Sequence, residues 1–371
     1  MRANVLNDPA LVKRAGQFVW LSIDSDRPSN AAFVDKFATG GVPLFVVIDP
    51  AKGKAVLNWY GTATAQQLAK LLEDGERAMA GGATGADALL ARADEFNADK
   101  KPAEAAKIYE QALTMGGPSW PHRTRAIESL VMADDFAGQR DACIRIAAHA
   151  APAMARDRSF VNTVYFGLEC ARPGTPELHE MEKLAEEGVK IPDVLGDDTS
   201  SLYQQLSGIY RRDKDNDAAT RVATDWLQYL QQQIAQAPTA EARMGYDLHL
   251  VSVAVFLHKP ELALAEVERA QRELPGDYNP PRLAATVYRQ MGRYDDALAA
   301  CNQAIEKAYG APKAQLYRTK GQILEQRGDI DGAKQTYAEG VAFARTLPEE
   351  LGEPALDQLE KASAAAGKKS N

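Results

Sequence analysis

The chain has 371 residues, 45% hydrophobic and 25% charged, which is enough to bury a substantial core and to divide into two or three units. Its 51 acidic against 43 basic residues give a formal net charge of −8, so there is no surplus of Lys or Arg to displace counterions from phosphates, and nucleic acid is not an expected partner. The apolar runs are strand-sized and fall short of the ~20 residues that a bilayer crossing demands, and residues 1–4 open no apolar signal core, so no membrane span is expected either.

Residues 18–24 and 44–49 are short apolar runs rich in β formers, too continuous for half-exposed strands, and both read as buried strands. Between them, residues 30–38 set Ala32, Phe33, Val34 and Phe37 at mostly helical spacing, and Gly40-Gly41 stops the helix. Strand, helix, strand in that order predicts a parallel pair with a crossover helix. The second strand opens on Gly41-Val42-Pro43, where a proline avoids the missing ladder donor and can be cis at modest cost. A further strand over 55–60 follows the turn at Lys52-Gly53, and a helix over 64–78 follows with Thr64 and Gln67 at capping-box spacing.

This order, with Gly41-Val42-Pro43-Leu44 before a strand and Trp59-Tyr60-Gly61 before the last helix, resembles the thioredoxin family over roughly the first fifth of the chain. Residues 4–15, with Asp8-Pro9, are similar to the stretch that follows the redox motif in some members. The resemblance implies a first strand and a Cys-x-x-Cys turn lying before Met1, which is then read as an internal methionine; residues 18–24 would otherwise present an unpaired apolar edge. It also implies that Val42 and Pro43 offer a backbone edge to an extended peptide, the alternative being that Pro43 only closes a turn. No cysteine occurs before Cys143, so this part is redox-inactive as written, because thiol exchange needs an attacking thiolate and a resolving thiol. The location expected as written is cytoplasmic, or periplasmic or exported if the start lies upstream behind a signal peptide.

Residues 81–86 form a small-residue linker, after which the texture turns to alanine, leucine, glutamine and alternating charges at the spacing of amphipathic helices. Ala263 and Ala270, Ala297 and Ala304, and Ala333 and Gly340 are equivalent small-residue pairs recurring 34 and then 36 residues apart. Such a period, with aromatic and glycine positions such as Tyr288, Gly292, Tyr294, Gly321 and Gly328, resembles tetratricopeptide repeats (TPR). Small residues suit the crossing of two packed helices, where a larger side chain would push the axes apart. The resemblance covers residues 87–345 and is weakest over 118–198, where helices are expected at 123–133, 137–150, 158–170 and 177–189. The expected organisation is an α/β thioredoxin-like fragment (1–80), a linker (81–86), an all-α TPR-like superhelix (87–345), and a capping helix with a frayed tail (346–371).

No catalytic, metal or cofactor site is expected. His179-Glu180 lacks the second histidine of a zinc helix, and no Gly-x-Ser-x-Gly elbow is present. Cys143, Cys170 and Cys301 read as small buried hydrophobes, with a disulfide between two of them an alternative that no spacing supports. Asp24 and Asp26 read as turn caps at a strand end.

The repeat resemblance implies that the first helix of each repeat lines a concave surface. The positions facing it are Gln204, Arg211 and Arg212, then Arg282, Thr286 and Arg289, then Gln315, Arg318 and Gln322. Arginine forks grip carboxylates at two points, so an acidic peptide or a chain terminus is the expected partner; the alternative is that these arginines pair with neighbouring acids on solvated helices. The function expected is a noncatalytic protein-interaction scaffold with a redox-inactive thioredoxin-like part. The alternative is a thiol-disulfide oxidoreductase whose Cys-x-x-Cys lies upstream.

Overall fold

Two apolar runs separated by a polar Pro-Ala-Lys-Gly-Lys turn fold back on each other as a hairpin, β1 (Leu44–Asp49) and β2 (Lys54–Tyr60), in the computed structural model. The structure describes residues 5–367 apart from Asn7, Ala15, residues 38–42 and Asp193. The strands are antiparallel, with Leu44 opposite Tyr60 and Val47 opposite Leu57, and the register shifts between Val47 and Ile48 so that Asp49 faces Lys54. Asp49 closes the turn by accepting from the Ala51 amide at 2.9 Å.

Ahead of the hairpin lie the short α-helices α1 (Pro9–Val12) and α2 (Ala31–Phe37), the latter entered through a 3-10 turn at Pro28–Asn30; after it comes α3 (Ala65–Ala80). Thr64 caps α3 through the reciprocal box with Gln67 foreseen from their spacing. Residues 18–24, expected to be a buried strand, are not one: Val19 is 88% exposed and Leu21 67%. The only sheet among the described residues has two strands, so the expected parallel pair does not form. The physical reason is pairing. A β former commits to a strand only where a neighbour supplies ladder partners, and local pattern cannot guarantee the neighbour. The expected helix stop at Gly40-Gly41 falls outside the described residues.

All remaining elements among the described residues are helices. They are α4 (Gly85–Ala98), α5 (Pro102–Gly116), α6 (Arg123–Phe136), α7 (Arg140–Ala150), α8 (Arg158–Cys170), α9 (Pro176–Gly188), α10 (Gly196–Arg212) and α11 (Asn216–Gln236). The series continues with α12 (Ala240–Phe256), α13 (Leu264–Glu273), α14 (Asn279–Gln290), α15 (Tyr294–Lys307), α16 (Gly310–Arg327), α17 (Ile330–Ala344) and α18 (Glu349–Ala365). None of the described helices is long and apolar enough to cross a membrane.

The chain divides into two compact units, the first made of residues 1–20 and 37–226, the second of residues 21–36 and 227–371. In the first, Leu57, Trp59 and Tyr60 of the hairpin bury against Leu68, Leu71 and Leu72 of α3, with Val5 and Leu11 completing the cluster. From α4 to α10 each helix packs on the next, and α6 also touches α8, and α8 touches α10, as stacked helix pairs do. Cys143 and Cys170, read from the sequence as buried hydrophobes, are instead joined by a disulfide between α7 and α8, with their Cα atoms 6.1 Å apart. Packing brings together two cysteines that sequence spacing did not pair. Cys301 is a buried free thiol, as expected.

In the second unit the repeat alanines Ala263, Ala297, Ala304 and Ala333 are fully buried. Gly321 shows why the crossings need small residues: a Cβ there would stand 2.2 Å from Cε1 of Tyr337, so the ring of α17 lies directly on the backbone of α16.

Candidate peptide-binding groove

Helix α14 buries Leu283, Ala284, Ala285 and Val287 and leaves Arg282, Thr286 and Arg289 half-buried along another face. Helix α16 buries Ala314, Leu316, Ile323 and Leu324 and leaves Arg318 and Gln322 half-buried. These two stripes meet. Arg289 donates from Nη1 to Oε1 of Gln322 at 3.1 Å. Burial, joined by the like charge of Arg318, holds Arg289 below the usual arginine range. Arg282, one turn into α14, is also held down by burial and donates from Nε to Oδ1 of Asn279 at 3.2 Å.

The pairing of these arginines differs from that of the other buried ones. In the first unit Arg158 meets Glu128 at 2.5 Å and Asp198 at 3.2 Å, and Arg125 meets Asp94 at 2.7 Å. Exposed arginines of the second unit are paired too, Arg293 with Asp296 at 2.7 Å and Arg327 with Asp295 at 2.9 Å. Arg282, Arg289 and Arg318 have no carboxylate within ion-pairing distance among the described residues, and the Nε atoms of Arg289 and Arg318 are buried without a hydrogen-bond partner. Taking a guanidinium out of water without a counter-charge is costly, and an incoming carboxylate relieves that cost.

The remaining residues singled out from the sequence are elsewhere. Arg211 and Arg212 end α10 in the first unit, and Arg212 already grips Asp213 at 2.9 Å. Pro43 precedes β1, and its carbonyl accepts from the Gly61 amide at 2.9 Å; Val42 lies outside the described residues. Sequence reasoning missed two tyrosines. Tyr278 and Tyr309 immediately precede α14 and α16 and meet edge to face with ring centroids 6.4 Å apart. The signal that could have found them is an aromatic residue repeated just before the first helix of successive repeats.

Solved structures similar to the chain include a tetratricopeptide repeat protein from Parabacteroides merdae, at 12% identity and a TM-score of 0.46, covering 74% of this chain and 98% of that one. Yeast Tom70 matches at 16% identity and a TM-score of 0.39, over 78% of this chain and 66% of that one. No curated protein matches the chain significantly in sequence. Residues 283–306, running from α14 into α15 and including Arg289, match the tetratricopeptide repeat family.

Proposed function

We propose that the chain is a noncatalytic protein-interaction scaffold whose second unit holds an acidic peptide segment or a chain terminus through Arg282, Arg289, Arg318 and Gln322. The observation that carries this reading is that three half-buried guanidiniums have no carboxylate within ion-pairing distance among the described residues, in a chain with 51 acidic residues. An incoming carboxylate would supply the counter-charge that these guanidiniums lack and offset the repulsion between Arg289 and Arg318. Arg211 and Arg212 stand in the first unit, so the proposal rests on the residues of α14 and α16.

The same reading treats residues 1–80 as a redox-inactive thioredoxin-like part, residues 87–345 as TPR-like repeats and residues 346–371 as the cap. Its support is the hairpin followed by a box-capped helix, in the order that family shows, together with the absence of cysteine before Cys143. Val42 and Pro43 would then present a second peptide edge ahead of β1. Calorimetric titration of the full chain with deca-glutamate and with deca-lysine tests the scaffold reading. Heat of binding for the acidic peptide alone, weakening as salt is added, is the expected outcome; equal response to both peptides, or to neither, contradicts it.

A further inference from the structure

Residues 21–36 belong to the second unit although the sequence places them more than two hundred residues before its helices. Their point of attachment is specific. The Tyr309 hydroxyl donates to Oδ2 of Asp24 at 2.5 Å, and the Arg27 guanidinium lies over the same ring, 4.6 Å from its centroid. The attached segment is wired internally as a turn: the Asp26 amide donates to Oδ1 of Asp24 at 3.0 Å, Asn30 donates from Nδ2 to the Asp24 carbonyl at 2.9 Å, and Arg27 pairs with Asp24 at 3.3 Å.

The receiving surface is shaped to match. Gly310 begins α16 with φ of +56°, and a Cβ there would stand 1.9 Å from the carbonyl oxygen of Asp26, so only glycine lets the turn approach this closely. Tyr278 stands beside Tyr309 and feels the charge of Asp26, which with burial raises the tyrosine above its usual pKa. Asp26 itself has no cation within ion-pairing distance among the described residues. Tyr278 and Tyr309 open the two helices that carry Arg282, Arg289 and Arg318, so the chain's own acidic turn sits at the head of the stripe that lacks carboxylates.

We propose that the surface formed by Tyr278, Tyr309 and Gly310 is a docking site for an Asp-x-Asp turn, filled in cis by residues 24–27, and that this occupant competes with an acidic peptide entering the arginine groove. The competition rests on the reading of that groove given above; the docking does not. Like charge sets it up: the incoming peptide's carboxylates approach the charge of Asp26, which has no cation of its own within ion-pairing distance among the described residues.

Two measurements on the full chain separate the parts. Hydrogen exchange of residues 24–30 should quicken in Tyr309→Phe, which removes the donor to Asp24, and in Gly310→Ala, which blocks the approach of Asp26; unchanged exchange in both overturns the docking. Fluorescence anisotropy with labelled deca-glutamate should show Asp24→Asn/Asp26→Asn binding about three- to tenfold tighter than wild type, the scale of a few like-charge contacts near a surface. Equal affinity overturns the competition. Loss of peptide binding in every protein, wild type included, overturns the groove reading and the competition with it, while the exchange result still decides the docking.

Discussion

Arg289 donates to Gln322 across the faces of α14 and α16 at 3.1 Å, and the guanidinium that makes this bond meets no carboxylate among the described residues. The bond fixes the fork in place. Its remaining N–H groups are then oriented before any ligand arrives, which lowers the ordering cost of binding.

Arg158 and Glu128 show the contrasting case of a buried cation that does meet carboxylates. Both side chains are almost wholly buried, 2.5 Å apart, and Asn162 donates to the same carboxylate at 2.6 Å. Glu128→Ala should therefore destabilise the chain by about 3–5 kcal/mol, because it strands a buried cation. Chemical denaturation measures this; a loss below about 1 kcal/mol would mean that water or Asp198 alone satisfies Arg158.

Gly321→Ala should cost about 1–3 kcal/mol through overpacking, since the new methyl meets the Tyr337 ring at 2.2 Å. Thermal unfolding of this variant and of Gly321→Ala/Tyr337→Leu reads the effect. Partial recovery in the double variant is expected, and an equal loss in both would place the strain elsewhere.

The Cys143–Cys170 bond closes 27 residues, and its reduction should lower stability by about 3–4 kcal/mol on the chain-entropy estimate. Thiol titration under denaturing, non-reducing conditions should find a single reactive thiol, Cys301. In the native protein that thiol, pushed up to about 12 by burial, should react very slowly. Three thiols in the unreduced denatured chain would contradict the pairing.

Asp247 makes stability fall with rising pH. It is fully buried in α12 with neither carboxylate oxygen hydrogen-bonded, and burial, reinforced by the charge of Glu266 and opposed by Arg269 and Arg243, pushes its pKa up to about 7. An unfolded aspartate titrates near about 3.9, so between that pH and about 7 the folded chain binds the extra proton, and stability decreases across this window by up to a few kcal/mol. Asp247→Asn should flatten that part of the profile and stabilise the chain at neutral pH. A wild-type profile that rises from pH 4 to 7, with no change in slope in the variant, would contradict the assignment.

Legibility in the sequence followed the range of the interaction. The strands over 44–49 and 55–60 with the turn between them, the Thr64–Gln67 cap and helices α6 to α9 were readable because pattern and capping are local. The repeat resemblance implied one face for Arg289, Arg318 and Gln322, and the structure joins Arg289 to Gln322. The fate of residues 18–24 was not readable, since a strand depends on a neighbour that the run itself does not encode. Neither was the disulfide, whose cysteines meet only when α7 and α8 pack, nor the bond from Tyr309 to Asp24, which spans 285 residues.

The central claim is that unpaired arginines on α14 and α16 receive acidic ligands. Anisotropy titration of labelled deca-glutamate against wild type and Arg289→Ala/Arg318→Ala, with circular dichroism to verify folding, tests it most directly. Removing two charge-assisted contacts should weaken binding by more than about tenfold and reduce its salt dependence. Equal affinity for the acidic peptide in a folded double variant would contradict the account.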